Sequence, residues 1–432
     1  METAQLPPFF ERNSHIYYKD GNLKIEDMDL QELAKELGTP LYVYSKKYLT
    51  ESFLTFAKAF ESHPTTICYA VKANSNLSLL NVFAELGSGF DTVSQGEIER
   101  ALIAGGKPEK IIFSGVGKTD AEIRYALQKG IGCFNIESEN ELYRIDKIAG
   151  ELKLKAPISF RINPDIDAQT HPDISTGLKE NKFGISHTRA VFMYQEAKKC
   201  QNVVIKGIDC HIGSQITQMK PFLEAQDVLL KIVDELKQYD IHLEHIDLGG
   251  GLGIIYNNEK PIPITEYADK ILEKMKGRSE KLMFEPGRFL VGNSGVFLTR
   301  TEYVKISEKK NFVVVDGAMN DLLRPAIYKV YHEIVNTKRR PDEEGKRKTF
   351  DIVGPVCEST DWFGKNRELY VEEGDIIAIL SAGAYCFAMS SNYNSRPRPA
   401  EILVDGNHYT LIRQRETMED VLRNEIVPRV NN

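Results

Sequence analysis

Across residues 65–285 eight short β-rich runs recur, separated by longer amphipathic segments, without an internal sequence repeat. The runs are TTICYAVKAN (65–74), GFDTVS (89–94), KIIFSG (110–115), GCFNIES (132–138), PISFRINP (157–164), VIKGIDCHIG (204–213), LEHIDLGG (243–250) and KLMFEPG (281–287). Helical patterns such as GEIERALIAG and LEAQDVLLKIVDELKQY fill the gaps. Eight strands alternating with helices predict a (β/α)8 barrel. An open doubly wound sheet is the alternative, but eight units within this length suit closure better. Most of the strands end in polar or glycine-rich residues, and in a barrel those ends form the face where active sites are built.

Past residue 290 the texture changes to short alternating runs broken by Gly, Asp and Asn: GVFLTRTEYVKI, NFVVVDGA, TFDIVGPVC and GDIIAILSAGAY. These predict a C-terminal β-sandwich or β-barrel domain. HIYYKDGNLKIED (15–27) reads as a hairpin that joins it. The expected division is an N-terminal segment 1–40 belonging to the β domain, a barrel over 41–287 and the β domain over 288–432. The fold class is α/β plus all-β.

Composition narrows the functions. The net charge is −7, with 55 basic against 62 acidic residues, which argues against a nucleic-acid binder. The one dense basic run, KRRPDEEGKRK (338–348), is interleaved with acids, Pro and Gly and reads as a solvated loop. The six cysteines (Cys68, Cys133, Cys200, Cys210, Cys357 and Cys386) show no CxxC pair and no metal-site spacing, as in a reducing compartment. METAQLPPFFERN has neither the basic start nor the apolar core of a signal peptide. No apolar run approaches the about 20 residues of a membrane-spanning helix. The expected location is the cytoplasm, with no membrane partner.

Four features at the strand ends carry chemistry. Lys72 follows the first strand; taken alone it reads first as a lysine reaching solvent, and only its company makes it a Schiff-base lysine rendered nucleophilic by a desolvated site. Gly249, Gly250 and Gly251 follow the seventh strand, where bare N–H groups can cup a phosphate, or where a tight turn simply needs glycine. The run is neither G-x-G-x-x-G nor a P-loop. EPGR (285–288) places Glu285 and Arg288 at the eighth strand, beside the usual barrel phosphate site. A carboxylate there is costly unless it meets a cation, and a protonated ring nitrogen would suit it. CHIGSQ (210–215) ends the sixth strand with His211 and Ser214, and a flat imidazole in this company suggests a stacking partner for an aromatic cofactor.

Together these residues resemble the pyridoxal-phosphate decarboxylases of the alanine-racemase-like fold. YAVKAN, HIGSQ, DLGGGLGI, EPGR, GPVCESTD, GAYCFAMSSNYNSRPRPAE and RINPDIDAQTHPDISTGLKENKFGI (161–185) are similar to the diaminopimelate decarboxylase family, a likeness running from about residue 15 to 425. The resemblance implies that Lys72 holds pyridoxal 5'-phosphate, that His211 stacks on its ring, and that Ser214, Gly249, Gly250, Gly251, Gly287 and Arg288 surround its phosphate. It gives Glu285 the ring nitrogen, where alanine racemases offer an arginine. Cys357 alone would pass for an ordinary buried thiol; the resemblance makes it the proton donor after carbon dioxide leaves, in the active site of a partner subunit. Glu358 would bind the substrate's distal amine, Arg288, Arg324 and Tyr328 its distal carboxylate, and Tyr385 both phosphate and substrate. An acid together with two arginines fits meso-diaminopimelate better than ornithine or lysine, since guanidinium suits bidentate recognition of a carboxylate. The implied reaction is the decarboxylation of meso-2,6-diaminopimelate to L-lysine, the last step of lysine biosynthesis, by a homodimer with composite sites. A decarboxylase of ornithine, arginine or a carboxylated polyamine is the alternative, and a non-catalytic cofactor-binding regulator a more remote third. Gln95 stands where that family more often has a second glycine, and Asp91 receives no role.

Overall fold

The computed structural model describes residues 6–167, 182–340 and 344–428. Part of the 161–185 stretch and of the basic run 338–348 therefore lies outside the described residues. The chain divides into two compact units, one of Leu49–Ile255 with Glu259–Gly292 and one of Met1–Tyr48, Tyr256–Asn258 and Asn293–Asn432.

The first unit is a closed parallel barrel. Its strands, numbered in chain order, are β1 (Thr65–Ala70), β2 (Gly89–Thr92), β3 (Ile111–Phe113), β4 (Cys133–Ile136), β5 (Ala156–Asn163), β6 (Val203–Asp209), β7 (His245–Asp247) and β8 (Lys281–Phe284). Each pairs in parallel with its neighbour, and β8 returns to β1 through Leu282 opposite Thr65. A two-residue strand, Ile185–Ser186, adds to the edge of β5. Side chains that punctuate the sequence start the helices: Ser94 and Ser138 accept the N–H groups of Glu97 and Glu141, and Thr119 with Glu122 forms a capping box.

The register sorts the strand residues into two faces. Asp91 lies opposite Ile112, Asn135 opposite Ser159, Arg161 opposite Asp209, and Asp209 opposite Asp247. Because side chains alternate along a strand, this face carries these polar and charged residues together with a small apolar cluster of Cys68, Ile112 and Met283. The other face carries Tyr69, Phe90, Phe113, Phe134, Phe160 and Phe284, all buried at 1% exposure or less, each such ring contributing about 1.5–3 kcal/mol. Where the first face is crowded it uses glycine: a Cβ at Gly207 would stand 2.1 Å from His245 Nε2.

The second unit is β-rich. A three-stranded antiparallel sheet (Ile16–Lys19, Asn22–Ile25, Met28–Asp29) accompanies a mixed nine-stranded sheet. The long strand Gly295–Lys305 is its spine, pairing with Leu41–Ser45, Ile376–Ile379 and Asn311–Val315. Two of the pairings are parallel, Leu41–Ser45 with Ala400–Asp405 and Asn311–Val315 with Lys348–Val353. One apolar core unites Phe9, Ile16, Leu23, Leu33, Leu41 and Val43 with Val296, Ala378 and Ile402. The strand Leu41–Ser45 falls inside the 41–287 range drawn for the barrel, and it pairs within this sheet. Its five residues are all buried, which gives LYVYS the continuous texture of a barrel strand, while its true partners lie more than 250 residues away.

Candidate active site

The barrel brings the predicted strand-end residues to one mouth. Lys72 sits in the single turn Val71–Ala73 that ends β1. Its Nζ lies 3.7 Å from Asp91 Oδ2, with the lysine side chain 40% exposed and the aspartate 1%. Neither oxygen of Asp91 accepts a hydrogen bond.

Across the mouth Asp209, Asp247 and Glu285 converge, with carboxylate oxygens all within 4.8 Å of one another. Burial, and then the neighbouring acids, push Asp209 and Glu285 well up from the usual carboxylate range. Burial likewise raises Asp247 to about 7, although the N–H of Gly249 donates to its Oδ1 at 2.9 Å and works the other way. Asp209 Oδ1 and Asp247 Oδ2 accept no hydrogen bond. Asn135 Nδ2 donates to Glu285 Oε1 at 3.3 Å. Arg161, buried, pairs with Glu137 at 3.0 Å, and its charge pulls down the raised aspartates.

The glycine run has a packing cause. A Cβ at Gly249 would lie 2.4 Å from the carbonyl of Cys210, at Gly250 2.2 Å from that of Glu285, and at Gly251 2.5 Å from that of Gly213. Gly249 and Gly251 also hold φ of 65° and 111°, where a side chain is strained. Two of the three N–H groups turn to the protein: Gly249's to Asp247, and Gly250's to His211 Nδ1 at 3.2 Å. Burial, followed by the charges of Lys72 and Arg161, lowers the His211 pKa well below the ordinary histidine value. The ring is therefore neutral, with Nδ1 accepting and the proton on Nε2. Arg288, buried in the turn that Gly287 opens, donates to Ser214 Oγ from Nη2 at 2.9 Å and Nε at 3.3 Å. Gln95 begins the helix Gln95–Ile103, and its N–H donates to Glu122 at 3.2 Å.

The remaining predicted residues lie in the β-rich unit. Cys357 and Glu358 occupy one exposed loop, Gly354–Asp361. Buried Asp361 shapes it by accepting the N–H groups of Met319 and Val356, each at 2.7 Å. Glu358 accepts from Thr360 at 2.7 Å and Tyr393 at 2.9 Å, which holds its carboxyl below the usual range. Arg324 and Tyr328 bound one short helix. Arg324 lies over the Tyr256 ring, 4.6 Å from its centroid, and reaches His332 Nε2 at 2.8 Å, while His332 Nδ1 donates to the Leu380 carbonyl at 2.9 Å. Tyr385 is half-buried, with φ of 59°. Asn135, Asp209, Asp247, Tyr256 and His332 escaped the sequence reading; the one signal for the first three is a polar residue near a strand's C-terminal end.

Pyridoxal phosphate fits this mouth. Three acids with unpartnered buried oxygens need a positive group, and a protonated pyridine nitrogen is one. An amine beside them, a neutral imidazole and a buried arginine on a serine complete a set that an aromatic phosphate aldehyde can satisfy.

Residues 46–292 match the family model described as pyridoxal-dependent decarboxylase, pyridoxal binding domain, which makes the barrel a cofactor domain of that class. The chain is 53% identical to the diaminopimelate decarboxylase of Vibrio cholerae over 94% of its own length and 97% of the relative's. It is 52% identical to that of Pseudomonas fluorescens, covering 94% and 98%. Its fold is similar to the crystal structure of the Helicobacter pylori diaminopimelate decarboxylase complexed with L-lysine, with a TM-score of 0.87 and 45% identity over 91% of this chain and 98% of that one. A lysine/ornithine decarboxylase from Vibrio vulnificus, at 21% identity and a TM-score of 0.77 over 87% and 97%, shares the fold alone. The chain belongs to the diaminopimelate decarboxylases.

Proposed function

We propose that the protein decarboxylates meso-2,6-diaminopimelate to L-lysine and carbon dioxide with pyridoxal 5'-phosphate, the closing step of lysine biosynthesis. The observation that carries this reading is the mouth itself, where Lys72 stands 3.7 Å from buried Asp91 while Asp209 and Asp247 each keep a buried oxygen with no hydrogen-bond partner among the described residues. When bound, the cofactor supplies an electron sink for the pair left on the substrate carbon as carbon dioxide departs.

The chain's own residues do the rest. Lys72 offers the amine that holds the cofactor. Glu285 keeps a proton at the ring nitrogen, with Asp209 and Asp247 beside it. His211, kept neutral, offers a flat face without a competing charge. Ser214, Gly251, Gly287 and Arg288 serve the phosphate, and we assign Tyr385 to phosphate and substrate as well. Arg324, stiffened by Tyr256 and His332, recognises the distal carboxylate, assisted by Arg288 and Tyr328. Cys357 delivers a proton to the carbon that loses its carboxylate, and Glu358 holds the distal ammonium.

Cys357 and Glu358 sit exposed on a loop tip, and we read them as completing the site of a second copy in a homodimer. No described helix is long and apolar enough to cross a membrane, and we place the enzyme in the cytoplasm. Sedimentation velocity with activity across the same concentrations tests the assembly. Activity should follow the dimer, and a strictly monomeric active species would exclude the composite site. Supplying meso-diaminopimelate, ornithine and lysine in turn tests the substrate, and carbon dioxide should appear with the first.

A further inference from the structure

Asn135 is a fully used amide in the barrel's polar face. It is 1% exposed on β4, between Ser159 at 0% on β5 and Ser114 at 6% just past β3. Ser159 Oγ donates to its Oδ1 at 2.5 Å. That bond sets the sense of the amide, so Nδ2 turns to Ser114 Oγ and Glu285 Oε1, each at 3.3 Å. Two N–H bonds meet two acceptors, and nothing in the amide is left over. The reverse sense would set an amide oxygen against a carboxylate oxygen with no proton between them.

The position matters because of what else faces Glu285. Asp209 and Asp247 bring oxygens within 4.8 Å, and like charges at that range disfavour ionisation. Lys72 is the cationic counterweight to Glu285, and Asp91 adds to the repulsion. Asn135 is a neutral donor, and a hydrogen bond to a carboxylate favours its charged form. It also occupies Oε1, which leaves Oε2 for whatever enters the mouth.

We propose that Asn135, locked by Ser159, is a positioning residue that ties down Oε1 of Glu285 and presents Oε2 to the cofactor's ring nitrogen. The inference rests on the reading of Glu285 as that nitrogen's partner. Asn135 touches neither substrate nor cofactor in this account; it acts through Glu285.

The test uses the full-length enzyme, stripped of cofactor and titrated with pyridoxal phosphate. Two quantities are read: the dissociation constant, and the pH midpoint of the bound cofactor's visible band. Asn135→Leu should weaken binding about tenfold, the scale of one hydrogen bond to a charged group, and move the midpoint. Ser159→Ala should act in the same direction by about two- to threefold, since it loosens the amide without removing it. This variant keeps the test valid should Asn135→Leu fail to fold. In a Glu285→Gln background, Asn135→Leu should add less than about twofold, because its route is gone. Unchanged constants and midpoints in Asn135→Leu and Ser159→Ala, or a full effect retained in Glu285→Gln, would overturn the inference. A Glu285→Gln enzyme matching wild type in both readouts would overturn the ring-nitrogen reading and this inference with it. A clear effect of Glu285→Gln with none from Asn135→Leu would overturn the inference alone.

Discussion

Lys72 Nζ lies 3.7 Å from Asp91 Oδ2, and Asp91, 1% exposed, accepts no hydrogen bond among the described residues. A buried carboxylate whose near neighbour is a half-exposed amine ties that amine to the strand next door. Borohydride reduction should therefore fix the cofactor to wild-type protein through Lys72, as a peptide map by mass spectrometry will show. Lys72→Ala should release all of it on gel filtration. Asp91→Asn should still be labelled but hold the amine less firmly, with weaker cofactor affinity.

The glycine run predicts a packing defect that is separable from catalysis. A Cβ at Gly250 would come 2.2 Å from the carbonyl of Glu285, and backbone cannot swing aside as a side chain can. Gly250→Ala should lose about 2–3 kcal/mol of stability even without cofactor, read from urea unfolding of the stripped enzyme. A variant as stable as wild type would show that the strands tolerate the separation.

Asp247 gives a pH signature. Burial raises it from 3.8 to about 7 in the folded state. Between those values the native protein holds a proton that the unfolded chain has released, so stability falls as pH rises through the window. His211 and His245, whose pKa values burial lowers, give the opposite slope below the ordinary histidine value. The comparison must therefore be between variant and wild type. Asp247→Asn keeps an oxygen for the Gly249 N–H. Its stability relative to wild type, for the stripped enzyme, should climb from about pH 4 to about pH 7 and then level off. A pH-independent difference would mean that Asp247 is ionised throughout.

Arg324 and His332 predict a substrate effect. With His332 Nδ1 donating to Leu380, Nε2 is left as the acceptor for Arg324. Arg324→Ala should raise KM for diaminopimelate by roughly 30-fold or more, the lower end of the loss on truncating a buried ion-pair partner. His332→Leu should raise it by about five- to tenfold with a smaller change in kcat. Equal losses in kcat and kcat/KM would assign both residues to the chemical step.

Cysteine reactivity separates Cys357 from the rest. Cys68, Cys133, Cys210 and Cys386 are buried, Cys200 is half-buried and Cys357 is exposed. Burial also pushes the Cys68, Cys133 and Cys210 thiols up, away from the reactive thiolate. Iodoacetamide should label Cys357 first, and diaminopimelate should slow that labelling. Cys357→Ala should keep the fold and the bound cofactor while losing turnover.

Much of this molecule is readable without coordinates, for definite reasons. The eight barrel strands announce themselves because they are short and β-rich and alternate with amphipathic helices. Lys72, Glu285 and the glycines each have an ordinary reading alone and stand out because all of them fall at strand ends of one barrel. The boundary at residue 41 does not show Leu41–Ser45 as a strand of the second unit, because a strand buried along its whole length looks alike in any sheet and its partners are more than 250 positions away. Asn135 was invisible for a different reason. Inside CFNIE an asparagine has many possible causes, and only closure of the barrel brings it to Glu285 from 150 positions away. His332 is likewise an unremarkable histidine until Arg324 and Leu380 are seen on either side of its ring.

Product analysis with meso-diaminopimelate tests the central claim most directly. The cofactor-loaded enzyme should release L-lysine and carbon dioxide in equal amounts, with none from Lys72→Ala and none from wild type given ornithine. Carbon dioxide from ornithine but not from meso-diaminopimelate, or undiminished release by Lys72→Ala, would contradict it.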